Sequence, residues 1–123
     1  MTFIPTKIHA VLDYLSVALF IASPWLFGFA TGGAAQWIPI VAGVVVLGQS
    51  VLTDYEGGIA RVMPMQAHLV MDMLLGLVVA ASPWLFGFAS YVYLPHVLFG
   101  ALALGAGLFT KRVPAHAIQK PSV

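Results

Sequence analysis

A membrane-embedded all-α fold, four transmembrane helices built as two tandem two-helix repeats, is predicted by three features: scarce charge, four apolar stretches of helical length, and a long internal repeat. Of 123 residues, 61% are hydrophobic and 7% charged, with five Lys or Arg and four Asp or Glu. A soluble domain carries about 25% charged residues. A single domain of this size hides roughly 60–70% of its chain surface, and so few charges cannot cover the rest in water. The same composition excludes a disordered chain, and a net charge of +1 leaves no footprint for nucleic acid. With no cysteine there is no disulfide framework, thiol redox centre, iron–sulfur cluster or cysteine-ligated zinc.

The apolar stretches run over about 6–29, 36–53, 65–88 and 92–110, each near the ~20 residues that cross a bilayer. Thr31-Gly32-Gly33 breaks the first from the second, Asp54 to Met65 the second from the third, and Ala89-Ser90 the third from the fourth. Hydrophobicity without period-two alternation argues against a β-barrel. Lys7 followed by an apolar run is reminiscent of a secretory signal, but the run has a near copy in mid-chain. Pro5 and Pro64 are expected in the first turns of the first and third helices, where a missing N–H costs nothing. Thr53-Asp54-Tyr55-Glu56 has the spacing of a capping box, so a short surface helix is expected from Asp54 to about Val62, weakened by Gly57 and Gly58. From Val113 onward the chain reads as a frayed tail.

The copy is the strongest signal. Phe3–Ala30 set beside Val62–Ala89, an offset of 59, gives 14 identities in 28 positions, among them Pro5/Pro64, His9/His68, Asp13/Asp72 and an unbroken Ala-Ser-Pro-Trp-Leu-Phe-Gly-Phe-Ala. A weaker match follows: Gly43, Leu47, Gly48 and Thr53 recur 57 positions later as Gly100, Leu104, Gly105 and Thr110. Each repeat is a two-helix hairpin. Residues 1–123 thus form one membrane domain: repeat one 3–53, a cytoplasmic connector 54–64, repeat two 62–110 and a flexible tail 113–123.

Ser23-Pro24-Trp25 and Ser82-Pro83-Trp84, each late in the first helix of a hairpin, resemble the SPW-repeat family of small bacterial and archaeal membrane proteins. The resemblance runs from Phe3 to about Lys111. It implies a four-helix integral membrane protein and implies no activity or catalytic residue.

Lys7, Arg61, Lys111, Arg112 and Lys120 all fall on one side of the expected spans. The positive-inside rule makes that side the cytoplasm, giving a multi-pass inner-membrane protein with both termini cytoplasmic. Two spans per repeat place a pseudo-twofold axis along the membrane normal.

His9 and Asp13, and again His68 and Asp72, stand four apart, so each pair shares one helix face. Counted from the prolines, the carboxylates lie ~12 Å along the axis, just inside the hydrocarbon. A carboxylate there costs ~2.5–3.5 kcal/mol on insertion scales, and such groups face the bundle interior and find partners. Symmetry brings both pairs together. Three readings compete: polar glue that fixes the register of helices one and three; a proton or cation path; and ligation, with the four residues on a divalent metal or His9 and His68 on a haem.

The Ser-Pro-Trp runs also read two ways. Pro24 cannot bond the carbonyl of Phe20, so the helix kinks or ends there, with Ser23 free to cap the exposed backbone. Trp25 and Phe27 then belong to an interfacial aromatic belt. In the other reading the two breaks are gates or a ligand pocket. Gly100, Ala103 and Gly107 make a small-residue face, serving either the bundle or a homodimer. His96 and His116 have no evident partner, and Met63, Met65, Met71 and Met73 read as apolar filler. The function expected first is a structural or accessory component, non-enzymatic and without cofactor. It meets the lipid bilayer and a homo-oligomer or larger membrane complex; transport and cofactor-binding redox roles are the alternatives.

Overall fold

Four helices account for the described fold: α1 (Thr6–Leu26), α2 (Ala34–Leu52), α3 (Met65–Leu85) and α4 (Leu94–Phe109). The computed structural model describes residues 2–114; His116, Lys120 and most of the expected tail lie outside them. α1 and α3, of 21 residues each, reach ~31 Å at ~1.5 Å per residue, enough for a ~30 Å hydrocarbon core. α1, α2 and α3 are long and apolar enough to cross a membrane, while α4 has 16 residues. It is shorter than the expected 92–110 stretch because helical geometry begins only at Leu94, with Pro95 in its first turn.

Pro5 and Pro64 sit one position earlier than expected. They are the N-caps of α1 and α3, with extended backbone (φ −63° and −62°), and their carbonyls accept the first helical bonds from His9 and His68 N–H.

α1 packs on α2 and α3 on α4, and the hairpins meet mainly along α2 and α3. Gly76, Gly100 and Gly107 of the second hairpin are consumed within it. A Cβ at Gly76 would fall 2.7 Å from the Gly100 carbonyl oxygen and 2.8 Å from the Leu104 nitrogen, and one at Gly107 would fall 2.6 Å from Met73 Cγ. The Gly100 and Gly107 face therefore seats α3 against α4 inside the bundle. Near the middle, Phe20, Ala42, Val79 and Phe99 form an apolar core, with Phe20 and Phe99 stacked at 4.8 Å.

The short helix expected over Asp54 to Val62 is absent. Residues 53–64 form turns closed by a bridge between Thr53 and Met63. The capping box fails because both of its side chains are engaged elsewhere: Glu56 accepts the Thr6 hydroxyl at 2.7 Å, and the Thr53 hydroxyl bonds the Gln49 carbonyl and faces the His68 ring. Gly57 lets the segment lie on α1, since a Cβ there would meet Ala10 Cβ at 2.9 Å. An equivalent bridge joins Ile4 to Thr110. Both bridges, and with them Lys7, Arg61, Lys111 and Arg112, mark one end of the bundle.

The distribution of polarity is inverted relative to a soluble protein. Leu15, Val44, Leu74 and Leu102 are more than half exposed, whereas His9, Asp13, Gln49, His68, Asp72 and His96 are buried. An apolar outer surface around a polar interior is stable only where the surroundings are lipid. The chain is a membrane protein.

Candidate functional site

At the basic end, α1 and α3 bring His9, Asp13, His68 and Asp72 into one buried tetrad, with one ligating atom from each within 4.8 Å of the others. The i, i+4 spacing stacks each pair on its own helix. The shared proline register then sets both pairs at the same depth. His9 Nε2 lies 3.1 Å from Asp13 Oδ1 and 2.8 Å from Asp72 Oδ2. His68 Nε2 lies 3.0 Å from Asp13 Oδ2 and 3.3 Å from Asp72 Oδ2. Each imidazole thus touches the carboxylate of its own helix and that of the other hairpin. The two rings meet edge to face, centroids 5.3 Å apart.

Four further residues complete the site. Thr110, the C-cap of α4, presents its hydroxyl 2.7 Å from His9 Nδ1, and Thr53, the C-cap of α2, presents its own 2.7 Å from His68 Nδ1. Each threonine hydroxyl donates its only hydrogen to the carbonyl four residues back, Ala106 for Thr110 and Gln49 for Thr53. It can therefore only accept from the ring, which places a hydrogen on Nδ1 of both histidines. Each Nε2 is thereby left facing carboxylate oxygens of both helices.

Two further donors, unrelated by the repeat, reach the carboxylates: the Tyr55 hydroxyl donates at 2.6 Å to Asp13 Oδ2, the oxygen that also faces His68, and the Gln49 amide donates to Asp72 Oδ1. Tyr55 is fully buried against Ala10, Met65 and Leu69, so the connector closes the site from the basic end. Burial, then the facing Asp13 carboxylate, hold the Tyr55 hydroxyl protonated far above the usual phenol range. Thr53 and Thr110 were visible in the sequence as a recurrence at offset 57. Gln49 and Tyr55 have Ala106 and Arg112 at that offset, so no repetition marks them.

The Ser-Pro-Trp runs lie at the opposite end and contribute nothing to the tetrad. Pro24 supplies no N–H to the Phe20 carbonyl, and the Ser23 hydroxyl replaces it at 2.8 Å; Ser82 does the same for Val79 at 2.6 Å ahead of Pro83. The helices persist for a final turn and end when Phe29 N–H bonds the Pro24 carbonyl and Phe88 N–H the Pro83 carbonyl. That closure needs a left-handed residue, supplied by Gly28 and Gly87 at φ 74° and 75°. Trp25 and Trp84 are more than half exposed, as an interfacial belt requires. His96 does have a partner: its Nε2 meets the Ala35 carbonyl at 2.8 Å, between the rings of Phe29 and Phe88.

The model of the SPW repeat domain matches residues 7–110. The chain belongs to the SPW-repeat family. No match was found among curated proteins or among solved structures. In this SPW-repeat protein the doubled motif builds two identical helix ends, and the polar chemistry sits at the other end of the same helices.

Proposed function

We propose that this SPW-repeat protein is a non-enzymatic structural or accessory component of the bacterial inner membrane, with the tetrad as a clasp between its hairpins. Both termini and the connector face the cytoplasm in this reading, on the strength of Lys7, Arg61, Lys111 and Arg112 sharing one end. It meets its surroundings through the apolar outer face, as a homo-oligomer or within a larger membrane complex.

The observation that carries the reading is that every polar side-chain atom of the four tetrad residues has a partner. Both nitrogens of each ring and both oxygens of each carboxylate have partners within the chain, and five of those contacts cross between hairpins. Such satisfaction fixes a single arrangement, because any slip in register would strand a buried polar group.

His9→Ala with Asp13 and Asp72 intact removes one imidazole and leaves both carboxylates short of a donor. The expected loss is ~3–5 kcal/mol, read as a lower unfolding temperature in detergent, with exposed Lys7→Ala unchanged. Equal unfolding temperatures for His9→Ala and wild type would defeat the clasp.

A further inference from the structure

We propose that the tetrad is a binding site for a divalent first-row transition-metal cation of the zinc type, ligated by His9 Nε2, His68 Nε2 and one oxygen each from Asp13 and Asp72. The inference builds on the clasp, and the donor geometry supports it first. At bond lengths of ~2.0–2.1 Å, a tetrahedral site has ligand-to-ligand edges of about 3.3 Å. With Asp13 Oδ2 and Asp72 Oδ2 as the oxygens, three nitrogen–oxygen edges are 2.8, 3.0 and 3.3 Å, and one donor atom from each of the four residues lies within 4.8 Å of the others, so a cation would enter by drawing the more distant donors inward.

The outer contacts support it second. A metal-binding imidazole needs its other nitrogen held by a hydrogen-bond acceptor, which fixes the tautomer and aims the ligating lone pair. Thr110 and Thr53 hold Nδ1–H in both rings, leaving Nε2 as the inward atom of each. Tyr55 and Gln49 orient the carboxylates in the same manner. Four ligands and four supporting residues are all present, drawn from both hairpins and the connector.

Charge balance supports it third. Two neutral imidazoles and two carboxylates sum to two negative charges. One divalent cation would bring such a centre to neutrality. A net charge at this depth would be costly, so a divalent ion is the charge this donor set matches. Imidazole and carboxylate donors suit zinc, cobalt, iron(II) or manganese, and the absence of sulfur among them disfavours copper(I). A haem does not fit: with the rings edge to face at 5.3 Å and the carboxylates between their Nε2 atoms, no slot is left for a porphyrin.

The test uses full-length protein in detergent, with any histidine tag removed and metal stripped by a chelator. Co²⁺ is titrated in as a spectroscopic probe. The expected result is the intense visible absorption of four-coordinate cobalt, saturating at one ion per chain and displaced by Zn²⁺. Thr110→Val keeps all four ligands, and weakens cobalt binding ~10–100-fold if Thr110 orients His9 for a metal. His68→Gln removes a ligand and abolishes the four-coordinate spectrum. A wild-type spectrum that stays that of hexaaqua cobalt, with Zn²⁺ leaving the unfolding temperature unchanged, overturns the metal site. So does Thr110→Val binding cobalt as tightly as wild type, which decides the matter even if His68→Gln fails to fold. The clasp fails separately, through an unchanged stability of metal-free His9→Ala.

Discussion

Tyr55 shows how a residue without a repeat counterpart becomes part of a symmetric-looking site. It reaches Asp13 from the connector, and its hydroxyl is buried, bonded to a carboxylate and held protonated far above the usual phenol range. The unfolded chain releases that proton near pH 10, whereas the folded one keeps it. The stability Tyr55 contributes is therefore complete below about pH 10 and is lost as pH rises beyond it. Unfolding temperatures measured in detergent from neutral to alkaline pH are expected to fall more steeply above about pH 10 for wild type than for Tyr55→Phe. Parallel curves would show that the hydroxyl does not face the carboxylate. His9, Asp13, His68 and Asp72 were legible in the sequence because polar residues recurring at i, i+4 in two apolar helices have few places to go. Thr53 was legible only as a recurrence, and its local spacing with Glu56 suggested a cap. Its actual partners, His68 and Gln49, are fixed by tertiary packing that no local spacing encodes.

Among the elements, the prolines inside helices follow one rule. Pro24, Pro39 and Pro83 each leave a carbonyl four residues back without its N–H: Phe20, Ala35 and Val79. Ser23 and Ser82 serve the first and third from within their own helices, one residue before the proline. Ala35 is served from another helix, by His96 of α4. The Ser-Pro pair was readable as a unit because donor and breaker are adjacent in sequence. The His96 and Pro39 pair was not, since 57 residues separate them. These roles predict unequal consequences. Ser23→Ala leaves a carbonyl near a helix end where the backbone can relax, at a cost of ~1 kcal/mol. His96→Leu strands a buried carbonyl and removes a link between α2 and α4, at ~1–3 kcal/mol. Thermal unfolding in detergent is expected to rank His96→Leu below Ser23→Ala. The reverse order would mean that the Ala35 carbonyl finds another donor.

At the scale of the whole molecule, the hairpins are joined at both ends by polar links and between them by apolar packing. The tetrad and the two backbone bridges close the basic end, His96 closes the other, and Phe20, Ala42, Val79 and Phe99 lie between. Four-helix architecture was legible from hydropathy alone, but the direction of the molecule in the membrane rests on where the basic residues sit. The connector carries Arg61 and the loop between α1 and α2 carries no charge, so Ile59 and Thr31, both exposed, belong to opposite faces. The absence of native cysteine makes this directly measurable, since a single introduced thiol has no background. In intact cells a membrane-impermeant maleimide is expected to label Thr31→Cys and to spare Ile59→Cys, which becomes reactive once the inner membrane is permeabilised. Labelling of Ile59→Cys in intact cells would invert the topology and put the tetrad at the outer face. The metal available to His9, Asp13, His68 and Asp72 would then come from outside the cell, so the orientation of two loops decides which pool of cations the site can sample.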